Sequence, residues 1–301
     1  KAPFPIFMES IALEFAGRAW IMGPMRNTLT IARTTYGEIA RMPLYYILLL
    51  AAGFLIYASR FFTHFTFNQE TNAIREMGIA TISVWGFLIA VILPTIIVTT
   101  ELESRTSLNL LSKPISRRDF LVGKFLAVFL AAVAGIVLLS LVLLYTLWSY
   151  LGILWLDRHF MDMAAAGKAG SVWSFIWEHF FSTNGLLIGE GCLLAIFQAA
   201  IMSAIAVSSA AFFPAPVTVA ASMLVFILGN LSTYMVAAIA RLDSGPLNLL
   251  GSLLYYLIPN FSNFNLQSAF SEGRVISLEY LAFALLYGLV YAGGALLIST
   301  H

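Results

Sequence analysis

Charged residues divide this chain into a few long apolar stretches. Met42–Ser59 lies between Arg41 and Arg60, Met77–Thr100 between Glu76 and Glu101, and Phe125–Leu156 between Lys124 and Asp157. Gly191–Ala240 is uncharged for 50 residues between Glu190 and Arg241, and a last apolar stretch follows Glu279. A helix that crosses a bilayer needs about 20 apolar residues, at about 1.5 Å each, to span a hydrocarbon core of about 30 Å. Phe125–Leu156, with 32 residues, is longer than one straight crossing, so its helix is either strongly tilted or continues past the far interface. Gly191–Ala240 suits two crossings. Its turn is written at Phe212-Phe213-Pro214-Ala215-Pro216, because two prolines close together break a helix. The pattern therefore predicts an all-α membrane protein with six spans, over about 43–60, 78–100, 121–150, 186–210, 216–240 and 279–300.

Shorter periodicities fill the gaps. Leu29, Ala32, Tyr36 and Ile39 recur at helical spacing, against Thr30, Arg33, Thr34, Glu38 and Arg41 on the other side. They predict an amphipathic helix on the cytoplasmic membrane surface, capped by Asn27 or Thr28 and ended by Pro43. The alternative is an extension of the first span. Asp157–Gly185, with Trp173, Phe175, Trp177, Phe180 and Phe181, reads as an interfacial helix, with substrate contact as the alternative. Leu249–Ile258, before Pro259-Asn260, is too short to cross and too apolar for a free loop, which predicts a re-entrant or interfacial helix. Basic residues orient the whole: Arg26, Arg33, Arg41, Arg105, Lys113, Arg117, Arg118 and Lys124 fall on the side of the N-terminus. The positive-inside rule makes that side cytoplasmic, with both termini there.

Composition agrees with lipid as the solvent. Hydrophobic residues are 60% of the 301 and charged residues 10%, with a mean hydropathy of +0.89. Soluble domains carry about 25% charge. A formal net charge of +1 and the lack of a basic run give no reason to expect nucleic acid. One cysteine, Cys192, excludes an intrachain disulfide or a cysteine metal cluster, and His64, His159, His179 and His301 have no ligand spacing. The Met residues show no clustered spacing for copper. Residues 1–27 stay unassigned: Glu9 and Glu14 interrupt their apolar stretch, so they do not read as a signal peptide, and the start at Lys1 suggests a missing or processed N-terminus.

The segment Glu101–Lys124 carries the most chemistry. Glu101 and Glu103 follow the second span, and Leu102, Leu108, Leu110 and Leu111 form the apolar side of a short helix with Arg105, Ser107 and Asn109 among its polar positions. Lys113-Pro114 stops that helix. Ser116 caps the third span with Asp119 in the capping-box position, and Lys124 is expected to snorkel to the headgroups. Such a protruding charged helix suits the receipt of force from a soluble partner. An ordinary positive-inside loop is the plainer reading.

The pattern E-x-E-x-R-T-x-x-x-L-L-S-K-P-I-S-R, followed by F-x-x-G-K-F, resembles the cytoplasmic coupling loop of ABC type-2 transporter permeases. Leu254–Phe264 and Tyr291 with its small neighbours are also similar to members of that family, over roughly residues 28 to 300. The resemblance implies a six-span subunit with an N-terminal connecting helix, a coupling helix between spans two and three, and re-entrant helices between five and six. It implies that a separate nucleotide-binding subunit holds ATP and Mg and hydrolyses ATP. A second permease copy or paralogue completes the unit, in a bacterial cytoplasmic membrane. Glu101, Glu103, Arg105, Thr106, Lys113, Pro114, Ser116, Arg117 and Arg118 become the expected ATPase-coupling residues. The chain has no G-x-x-x-x-G-K-[ST] of its own, so no ATPase activity or cofactor is expected on it.

Three polar groups lie in the spans. Glu190 reads as an interfacial carboxylate wetted from outside, with a substrate or proton site as the sharper alternative. Gln198 and Asn230 read as hydrogen-bonding a neighbouring helix rather than a substrate, and Gly185, Gly189 and Gly191 permit close helix approach. No paired carboxylates or nucleophile–base sets point to a membrane enzyme. The leading function is ATP-driven export or extraction of a substrate. Mechanotransmission to an extracytoplasmic partner and a non-transporting scaffold are the competing classes.

Overall fold

Inside a bilayer every backbone N–H and C=O must be paired within the protein, which selects helices or closed barrels. The regular elements of the computed structural model are all helical among the residues it describes, which are 27–62, 70–103, 116–166, 185–232, 234, 255, 258–264 and 276–300. Helix α1 covers 27–39, and a turn at 40–42 separates it from α2, Pro43–Phe62. Then follow α3 (Glu70–Glu103), α4 (Arg117–Ala166), α5 (Leu186–Ala210) and α6 (Ala215–Asn230). A 3-10 turn, Phe261–Phe264, precedes α7 (Leu278–Thr300). Five described helices, α2, α3, α4, α5 and α7, are long and apolar enough to cross a membrane, and α6 is a shorter apolar helix.

Glycines let these helices pack backbone to side chain. A Cβ at Gly78 of α3 would lie 2.2 Å from Leu143 Cδ1 of α4, and one at Gly86 would lie 3.1 Å from Ile136 Cδ1. Gly135 of α4 returns the contact to Ile89 of α3 and also meets Leu49 of α2. These pairs run α3 antiparallel to α4. The hydroxyl of Tyr45 donates to the Ala131 carbonyl at 3.0 Å, and with the Leu49–Gly135 contact four residues on this sets α2 parallel to α4. Gly191 of α5 seats Ile79 of α3, with a would-be Cβ contact of 2.9 Å, whereas Gly189 has nothing within 4 Å. Phe87 of α3 stacks on Phe226 of α6 with ring centroids 3.9 Å apart.

Helix α5 is the axis of the bundle and touches α3, α4, α6 and α7. Its apolar window is 67% buried, against 28% for α2 and 17% for α7, so those two form the rim. Their outward residues, such as Leu50, Phe54, Val290 and Ile298, are exposed apolar side chains of the kind a lipid-facing surface needs.

Several boundaries differ from the sequence reading. Helix α3 begins well before residue 78 and carries Arg75 inside it; Arg75 is buried, with Nη2 donating to Asn72 Oδ1 at 3.0 Å. Helix α4 continues to Ala166, so the long window reflects a helix that runs on past its apolar part. Its 50 residues make about 75 Å at about 1.5 Å each. On α1, Ala32, Thr35 and Ile39 face inward, while Leu29 and Tyr36, expected on the apolar side, are exposed. The segments 167–184 and most of 233–257, where the interfacial helix, the end of the fifth span and the Leu249–Ile258 run were expected, lie outside the described residues.

Candidate functional site

The end of the bundle that bears α1 gathers the stems of the charged segment. Glu101, in the last turn of α3, forms an ion pair and hydrogen bond with Lys124 Nζ of α4. Lys124 is 3% exposed, and its ammonium also lies 5.6 Å from the centre of the Phe120 ring, one turn earlier. One residue before it, Gly123 receives α1: a Cβ there would lie 2.8 Å from Ile31 Cγ2 and 3.0 Å from the Thr28 carbonyl oxygen. Ser116 caps α4, its Oγ accepting the Asp119 backbone N–H at 3.1 Å. Arg117 lies over the ring of Phe212 at 5.1 Å, which brings the α5–α6 turn to the same end. Phe212 and Phe213 are exposed there, as are Ser116, Arg117 and Arg118.

Of the residues singled out from sequence, Glu101, Ser116, Arg117 and Arg118 thus meet around one platform. Glu103 ends α3, and Arg105, Thr106, Lys113 and Pro114 lie outside the described residues. Lys124 corrects an expectation: it does not snorkel to headgroups but turns inward, because a carboxylate lies within reach on α3. Sequence reasoning missed Gly123 and Phe212 as members of this platform. The available signal for the clasp was position: Glu101 and Lys124 are the charges bounding two consecutive apolar windows at the same end.

The same span of chain matches a known family. A family model described as ABC-2 family transporter protein covers residues 27–299. The chain belongs to that family. The match begins with the first residue of α1 and ends in α7, so it takes in the platform and the described helices. No curated protein matches the sequence. Family membership makes the chain an ABC transporter permease, a multi-pass membrane protein.

At its opposite end this ABC-2 permease buries a polar network. Glu190 of α5 is 9% exposed, and its Oε2 accepts the Ile276 backbone N–H at 3.0 Å. The carboxylate therefore caps the approach to α7 instead of standing in water. Asn230 bonds within its own helix, its Nδ2 donating to the Phe226 carbonyl at 2.9 Å, where a neighbouring helix was expected. Gln198 is buried at mid-helix in α5. Asn260, not singled out from sequence, is the hub: its Oδ1 accepts from Ser232 Oγ at 2.5 Å and from Ser262 N at 3.0 Å. Its own N–H donates to the Tyr287 hydroxyl at 2.6 Å. Beside it, Gly229 lies against Pro259 and Phe261, and Tyr280 donates to the Asn263 carbonyl at 2.8 Å. Among the described residues no group of His, Cys, Asp and Glu is placed to hold a metal ion.

Proposed function

We propose that this ABC-2 permease is driven by a separate ATPase that docks on segment 104–115 and the platform around its stems. Two permeases, as identical copies or paralogues, and two ATPase subunits would form the unit that exports or extracts the substrate. The loop end faces the cytoplasm of a bacterial inner membrane, and the chain crosses that membrane six times. The observation that carries this reading is the Glu101–Lys124 clasp. It holds both ends of a charged segment together beside α1, which suits a segment that takes load from outside the bundle. Arg117 over Phe212 adds the α5–α6 turn to the same face.

The test is purification of the native complex from membranes, with identification of its partners and assay of MgATP hydrolysis. A nucleotide-binding subunit is expected to accompany the chain. Exchanging the charges at Glu103 and Arg105 together is expected to lower its retention by about tenfold, equivalent to about 1.4 kcal/mol. Absence of any ATPase would overturn the reading. Hydrolysis without movement of material across vesicles, with an extracytoplasmic protein bound, would point to mechanotransmission instead.

A further inference from the structure

We propose that Lys124 is a positioning residue for coupling: with Gly123 it locks α1, the end of α3 and the start of α4 into one block. A push on segment 104–115 then reaches three helices as one movement. This rests on the reading that an ATPase docks on that segment.

Consecutive residues of a helix point about 100° apart. Gly123 and Lys124 use that angle to hold two different neighbours. At Gly123 the missing side chain lets Ile31 and the backbone at Thr28 come directly against α4. At Lys124 the side chain reaches across to Glu101. Phe120 covers the ammonium from the preceding turn, and only 3% of the lysine side chain is exposed. The glycine-mediated packing between α3 and α4, at Gly78, Gly86 and Gly135, is close and apolar. The ion pair adds a directed constraint: Glu101 keeps 26% of its side chain exposed, but the buried Lys124 ammonium is strongly unfavourable without its carboxylate. The pair therefore fixes the register of the two stems at the point where load enters. Mere stability would not require a charge here, since apolar residues of similar size commonly replace buried ion pairs without loss.

The experiment uses the permease–ATPase complex in nanodiscs, in a C192A background, with spin labels at L29C and L278C. Leu29 and Leu278 are exposed, by 64% and 84%, and sit near opposite ends of the bundle. Adding MgATP and vanadate is expected to shift the label–label distance. K124M and E101Q are each expected to lose that shift, and the charge exchange E101K/K124E to restore it. A shift retained in K124M overturns the proposal, as does a folded exchange variant that fails to restore it or an unaltered complex that shows no shift. Failure of both K124M and the exchange variant to fold would make the pair a stability element and also overturn it. If no ATPase accompanies the unaltered chain, the proposed function itself fails and takes this inference with it.

Discussion

At Gly229 the choice of residue is set by space. A Cβ there would lie 2.4 Å from Phe261 Cδ2 and 2.5 Å from the Pro259 carbonyl oxygen. The carbonyl belongs to backbone and cannot swing aside. Alanine at a helical glycine gains up to about 1 kcal/mol in propensity, but overpacking costs about 1–3 kcal/mol, so the clash wins. G229A is expected to destabilise the protein in detergent, while G294A, whose added methyl meets nothing within 4 Å, stays level or gains slightly. Thermal unfolding of the two variants checks the contrast. Glu190 can be judged in the same way. E190A leaves the Ile276 N–H without its acceptor, at about 1–3 kcal/mol. E190Q keeps a carbonyl oxygen in place and is expected to unfold within about 1 kcal/mol of the unaltered protein. A large loss in E190Q would show instead that the negative charge itself matters.

Among the described elements, the 3-10 turn Phe261–Phe264 is the least regular, and its two aromatic side chains are enclosed: Phe261 and Phe264 are 1% and 4% exposed. Irregular backbone within a membrane protein persists only where side chains or other segments satisfy it, and Tyr287 does so for Asn260 N. Removing that hydroxyl with Y287F is expected to cost about 1–3 kcal/mol. Local opening of the turn would rise by about tenfold for each 1.4 kcal/mol lost, read as faster hydrogen exchange at Phe261–Phe264. The apolar windows located α2, α3, α4, α5 and α7 because lipid tolerates few charges, and Pro214 with Pro216 marked where α5 gives way to α6. Helix ends were less legible. Lys124 bounded a window on paper and Arg75 lay ahead of one, yet both lie inside helices, since a charge in a sequence carries no mark of the partner it will find. Asn260 was invisible for a related reason. Its importance comes from Ser232 and Tyr287, which meet it from distant positions in the chain.

For the whole molecule, topology follows from which helices run parallel. Ser208 Oγ of α5 donates to the Ala295 carbonyl of α7 at 2.9 Å, and Glu190, near the start of α5, holds Ile276, just before α7. Early residues meet early ones and late residues meet late ones, so α5 and α7 run in the same direction. A chain that leaves α5 at the loop end and enters α7 from the far end must cross once in between. Helix α6 lies on that path, from the turn beside Arg117 to Ser232 beside Asn260. Its 16 residues make about 24 Å, short of a core of about 30 Å. The two residues that follow, and the tilt or local thinning that short helices impose, make up the difference. Six crossings are therefore expected, with Leu29 and Phe213 on one side of the membrane and Leu278 on the other. The chain suits cysteine labelling because its one cysteine, Cys192, is buried. In intact cells a membrane-impermeant maleimide is expected to label L278C and to spare L29C and F213C until the membrane is opened. Labelling of L278C and F213C from the same side would mean that nothing crosses between α5 and α7, and the six-span topology would fall.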